Sequence, residues 1–185
     1  MSAVKLSGKG QSLMELVVGI SLITVVIGAI AVITTYSSRN SQFSKNQAQA
    51  TKLAQENIEK VRTIKTSNYG LCFRDGSCSS WEEVWTSGPN YLKFNSECGT
   101  SACKFSLLQS GCALSGSAPP KICLQQLLST AEPVSIPGAI GFTYEILISN
   151  EPGVGPTQKR VTSRVYWTDT TGQHSSDLVT VFSKI

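Results

Sequence analysis

The chain has 185 residues, a formal charge of +4, 41% hydrophobic residues and six cysteines. That length fits one domain of ordinary size plus an extension. Without its first ten residues the chain carries 14 basic against 12 acidic side chains, a near balance that removes any general charge argument for nucleic-acid binding.

The first element opens with GKGQSLMELVVGISLITVVIG, residues 8–28. From Leu16 to Ser38 there are 23 residues without a charge. As a helix they span roughly 34 Å, enough for a hydrocarbon core of roughly 30 Å. Lys5 and Lys9 precede the run, so the positive-inside rule puts the N-terminus in the cytoplasm and everything after Arg39 outside. Glu15 lies just inside the leading edge, where a carboxylate costs about 2.5 kcal/mol or more at the bilayer centre and less toward the interface. A snorkelling glutamate at a helix start, favoured by the helix dipole, is the plain account of it.

Beyond the membrane run the helix continues polar to about residue 66, with Ala50, Leu53, Ala54, Ile58, Val61 and Ile64 forming one apolar stripe at three- and four-residue intervals. Glu56 and Lys60 are i,i+4 neighbours in the favourable order. No proline occurs before Pro89. The outer half of this helix can pack on a domain; the inner half needs lipid or other helices.

Residues 67–137 have weak periodicity and hold Cys72, Cys78, Cys98, Cys103, Cys112 and Cys123. WEEVW suggests a helical turn and PKICLQQLLST a short helix or strand; the rest reads as loop. All six cysteines fall in the exported part, and their even number suggests disulfides formed in an oxidising compartment. Near-neighbour pairing, Cys72–Cys78, Cys98–Cys103 and Cys112–Cys123, is one of the connectivities six cysteines allow. Zinc is the rival, but there is no C-x-x-C pair and His174 is the only histidine, so no metal or other cofactor is expected.

Residues 138–185 alternate as strands do. GFTYEILIS puts Phe142, Tyr144, Ile146 and Ile148 on one face, and KRVTSRVYW puts Val161, Val165 and Trp167 opposite Arg160, Arg164 and Tyr166. DLVTVFSKI closes the chain, and turn-rich SNEPGVGPTQ and DTTGQHSS connect the three in meander order. The expected fold class is α+β: a long N-terminal helix, transmembrane in its inner half, whose outer half packs on a C-terminal antiparallel sheet.

A basic leader ending in Gly10, Glu15 at the fifth position counted from Gln11, and an unbroken apolar helix resemble the N-terminal signal of type IV pilins and type II secretion pseudopilins. Gly10, Leu13, Glu15 and Leu16 fit that family's pattern, and Ser12 and Met14 are near substitutes, while Gln11 stands where the family has phenylalanine. The resemblance implies cleavage between Gly10 and Gln11 by a prepilin peptidase, retention of the helix, and filament assembly. Glu15 would then pair with the new α-amine of a neighbouring subunit. It further implies partners: other pilin subunits, the peptidase, and an inner-membrane platform with its ATPase. The chain would wait in the cytoplasmic membrane and end in a filament at the cell surface. Val32 stands where major pilins commonly have a kinking proline, the last cysteine is Cys123, and QATKLAQENIEKVRTIK is similar to a stretch of minor pilins. The resemblance is therefore to a minor subunit. The implied organisation is a leader over 1–10, a filament-core helix over 11–38, its outer half over 39–66, a variable loop region over 67–137 and a sheet over 138–185.

Other readings use other residues. Ala29-Ile30-Ala31 has the form cut by signal peptidase I, leaving a secreted chain from Val32; an uncut anchor displaying a cysteine-rich binding domain has the same topology as a pilin. A Cys–His enzyme would need His174 on a serine-rich turn, and GKG and GVG lack a phosphate-loop context. Asp169, Thr171 and Asp177 could face a calcium ion, although a polar hairpin turn explains them more simply. Lys159, Arg160, Arg164 and Tyr166 could contact DNA phosphates and stack a base, where a solvated sheet face explains the same residues at less expense.

Overall fold

The computed structural model describes residues 9–67, 70–75, 77–85, 88–98, 101–108 and 122–184. Helix α1 runs Lys9–Thr66, one helix over the expected core half, 11–38, and outer half, 39–66. The chain divides into two compact units, Met1–Lys45 and Asn46–Ile185.

Within the described part of the first unit there is only helix. Hydroxyls within its apolar run turn back on the helix's own carbonyls: Ser21 Oγ donates to Val17 O, Thr24 Oγ1 to Ser21 O at 2.8 Å, and Thr35 Oγ1 to Ala31 O at 2.8 Å. Thr34 Oγ1 reaches both Ile30 O and Ala31 O at 3.0 Å. A hydroxyl satisfied in this way can enter an apolar environment without leaving an open donor.

The second unit is one mixed sheet with helical cover. Its strands are β1 (Gly70–Cys72), β2 (Cys78–Ser80), β3 (Cys103–Leu108), β4 (Cys123–Gln126), β5 (Val134–Ser135), β6 (Phe142–Glu151), β7 (Gly155–Asp169) and β8 (Gly172–Ser183). The sheet order is β2-β1-β4-β3-β6-β7-β8, with β5 paired to β6. All pairings are antiparallel except β1 with β4. The expected meander is present as β6, β7 and β8, and Phe142, Tyr144, Ile146 and Ile148 are all buried. On β7 burial alternates as expected, with Val161, Ser163, Val165 and Trp167 inside. The helix stripe lies against this face: Ala50, Ala54, Ile58, Val61 and Ile64 are buried, while Leu53 is half-buried. Asn57 joins them, its Nδ2 donating to Ser163 Oγ at 3.4 Å, and Thr51 Oγ1 lies 3.1 Å from Ser176 Oγ.

The middle region is more regular than its sequence suggested. Read largely as loop, it supplies five of the eight strands found among the described residues, and helix α2, Pro89–Cys98. PKICLQQLLST contains strand β4, and WEEVW is a short 3-10 helix, Glu82–Val84, with Trp81 and Trp85 buried at its ends. Helix α2 opens on a proline, whose fixed φ and missing N–H suit a first helical position. It buries Phe94 and Cys98 at i,i+4 spacing. The near-neighbour disulfides Cys72–Cys78 and Cys98–Cys103 are both formed. Cys123 is disulfide-bonded as well; Cys112, its partner in the expected pairing, lies outside the described residues.

Candidate functional site

Fifteen large apolar side chains between Leu13 and Tyr36 are more than half exposed, and the apolar window of α1 is 0% buried. The helix is long and apolar enough to cross a membrane. Elsewhere among the described residues large exposed apolar groups are scattered: Leu92, Leu128, Ile140, Val154, Val179 and Val181. An exposed apolar surface of this size is of the kind that marks membrane or protein contacts, and a signal sequence near an N-terminus has the same length and composition. Glu15 is exposed on this surface, and no described residue gives it a hydrogen bond or ion pair. Gly19 and Gly28 also lie here, and a Cβ added at either would meet nothing within 4 Å, so the packing of this chain alone does not require them. Gly10 and Gln11 lie in the first turn of α1 as backbone, and the Gln11 side chain is outside the described set.

The residues suggested for nucleic-acid contact have other engagements. Arg160 forms a two-pronged pair with Glu151, at 2.9 and 2.6 Å. Arg164 does the same with Asp177, at 2.8 and 2.7 Å, and also approaches Glu145 at 3.4 Å. Tyr166 donates its hydroxyl to Glu145 Oε1 at 2.6 Å. Glu145 is 3% exposed and has Lys104 at 3.1 Å, so it is a buried carboxylate with two cationic neighbours and a phenol. The carboxylate of Asp177 holds the Arg164 pKa above its ordinary value, and Glu151 acts likewise on Arg160. A phosphate would have to compete with these carboxylates for the same N–H groups.

Lys159 is not on that outer face. Grouped with the arginines for nucleic-acid contact as their sequence neighbour, it shares the parity of Val161 and is 1% exposed. Its Nζ donates to Asn150 Oδ1 at 2.5 Å and reaches Asn95 Oδ1 at 3.5 Å. The ring centroids of Phe94 and Trp85 lie 4.3 and 5.5 Å from the same atom. Desolvation lowers its pKa from 10.5 to about 8, while facing rings and amide oxygens favour the charged form. Strict alternation counted back from Val161 was the available signal for this burial.

The β7–β8 turn separates the residues considered for calcium. Asp169 Oδ1 accepts from Thr171 N at 2.7 Å and from Thr171 Oγ1 at 2.5 Å, and lies 3.0 Å from His174 Nε2. These bonds, Thr171 first, lower the Asp169 pKa to about 2. Asp177 instead faces Arg164. Among the described residues no group of three His, Cys, Asp or Glu could hold a metal ion. Comparison with protein-family models, curated proteins and solved structures finds no match for the chain.

Proposed function

We propose that the chain is a non-enzymatic structural subunit of a filament of the type IV pilin class, a minor pilin or a type II secretion pseudopilin. The observation that carries this reading is the wholly exposed apolar helix with Glu15 just inside its leading edge, five residues after Gly10. Prepilin peptidase cuts after Gly10 and leaves a positive α-amine on Gln11. A charge that enters an apolar helix bundle is tolerated only when paired, and Glu15 of a neighbouring subunit is the partner it finds. Before assembly the helix anchors the chain in the cytoplasmic membrane, N-terminus inside. After it, the α+β unit lies on the filament surface and the apolar helices pack together. Other pilin subunits, the peptidase, and an inner-membrane platform with its ATPase are the partners. Intramolecular pairing of Arg160 and Arg164 weighs against DNA as a ligand of the sheet.

The test is recovery. In a host with a pilin-type assembly system, the tagged full chain should appear among filaments sheared from the cell surface. It should remain in the membrane when the peptidase gene is deleted. Equal recovery in the sheared fraction with and without the peptidase would end this reading.

A further inference from the structure

The outer sheet face, which carries Arg160, Arg164 and Tyr166, holds a cavity of about 380 Å³ near the β7–β8 turn. Register sets its floor. Thr143 on β6 lies opposite Tyr166 on β7, and Gln173 on β8 lies opposite Thr168. Tyr166 and Thr168 are two residues apart, so strand alternation puts all four on one face. The wall is Glu132-Pro133, brought alongside by β5, whose Val134 and Ser135 pair with Tyr144 and Thr143. Lys104 Nζ donates to Ala131 O at 3.2 Å and holds the chain just before that wall. The Tyr166 hydroxyl donates to Glu145 Oε1, which fixes the ring on the floor and leaves it no further donor.

The polar side chains around that ring are open. Glu132, Thr168 and Gln173 are exposed and Thr143 is half-buried, and no described residue makes a side-chain hydrogen bond to any of the four. Among the described residues that line the cavity, Glu132 alone is charged. An ionised carboxylate only accepts, a carboxamide has two donors and an acceptor, and each hydroxyl does both. A complementary ligand therefore brings several donors as well as acceptors, and one flat apolar face for the ring. Other chemistries match less of this set. A phosphate or carboxylate places negative charge beside Glu132, and a nucleotide stacked on Tyr166 does the same. A polyproline segment suits an aromatic groove but has no N–H to give Glu132. A quaternary ammonium uses the carboxylate and the ring but leaves the carboxamide and both hydroxyls idle.

We propose that this cavity binds a single neutral pyranose ring of a saccharide. A pyranoside carries hydroxyl groups around its rim, each a donor and an acceptor, and C–H groups across one face. The C–H face stacks on the Tyr166 ring, whose negative face attracts it. One sugar hydroxyl donates to Glu132, while Gln173, Thr143 and Thr168 exchange hydrogen bonds with its neighbours. The volume lies at the small end of ligand cavities, which suits one sugar ring. All of these residues lie within Asn46–Ile185, so the inference needs neither cleavage after Gly10 nor filament assembly.

Amide NMR spectra of the full chain test it, recorded in polyoxyethylene detergent micelles, whose head group contains no sugar. The probes are methyl β-D-galactopyranoside, methyl β-D-glucopyranoside, methyl α-D-mannopyranoside and methyl N-acetyl-β-D-glucosaminide. At least one should saturably shift the amides of Thr143, Tyr166, Thr168 and Gln173, and the protons on one face of its ring should move upfield. Glu132→Ala and Gln173→Ala alter exposed side chains, so each should keep the thermal midpoint and weaken that binding roughly fivefold. Glu132→Gln still accepts from a hydroxyl and should weaken it less than Glu132→Ala. No saturable shift with any of the glycosides would overturn the site, as would shifts that survive both alanine variants unchanged. Acetyl-tetraproline-amide or tetramethylammonium shifting the same amides, with every glycoside silent, would overturn the choice of ligand. No step involves the peptidase, so the filament reading stands or falls separately.

Discussion

Replacing Glu15 by valine should leave the chain in the membrane and remove it from filaments. Valine lowers the cost of the membrane segment, since the carboxylate is worth about 2.5 kcal/mol or more against insertion at the bilayer centre. Anchoring is therefore preserved or strengthened. On the proposed filament reading, what disappears is the group that would meet the α-amine of Gln11 when subunits pack. Breaking a buried ion pair by removing one partner costs roughly 3–5 kcal/mol, which is about a hundredfold or more in an equilibrium for incorporation. The tagged variant should thus be cleaved normally, stay at wild-type level in the membrane, and fall about a hundredfold in sheared filaments. Glu15→Gln keeps the size and removes the charge, so it should fail in the same way. Wild-type recovery of both variants would show that helix packing alone drives assembly.

The second large effect is a pH dependence of stability centred on Lys159. Its native pKa is lowered to about 8, against 10.5 when exposed. Between those values the unfolded chain holds a proton that the native chain releases, so stability rises with pH across that window. Below pH 8 the full cost of burying the ammonium is present; above 10.5 it is gone. The shift corresponds to about 3 kcal/mol, which the rings of Phe94 and Trp85 reduce by favouring the charged form. Urea unfolding of wild type and Lys159→Met should be compared from pH 7 to 10.5. The stability difference, wild type minus variant, should rise by roughly 1–3 kcal/mol. Tyr144 and Tyr166, whose pKa values burial raises, titrate in both proteins and cancel from the difference. A flat difference would mean that Lys159 keeps its solvation in the native protein.

Parts of this molecule could be read from the sequence because their periods are long enough to register. The stripe from Ala50 to Ile64 covers four helical turns, and Phe142 to Ile148 completes an alternation that β7 repeats. Strands β1, β2 and β4 have three, three and four residues, and none completes a period that distinguishes it from loop. They are strands because distant partners make them so: Leu71 pairs with Leu124, and Phe105 with both Gln126 and Ile146. Helix α2 had a signal in its leading proline and in the spacing of Phe94 and Cys98. The charged face shows the same limit. Sequence alternation placed Arg160, Arg164 and Tyr166 together, but Glu145, Glu151 and Asp177 reach them only through pairing of β6, β7 and β8. Glu15 is the opposite case. Its place in the sequence is the whole of its signal, and its proposed partner belongs to another subunit.

On the proposed reading this chain is cut after Gly10 and keeps its apolar helix. Mass spectrometry of the intact protein and its N-terminal peptides, from membranes of a host carrying a prepilin peptidase, addresses it most directly. The expected first residue is Gln11, whether free, methylated or cyclised, and that species should be lost when the peptidase is deleted. A chain beginning at Val32, or one retaining Met1 beside an active peptidase, would contradict it.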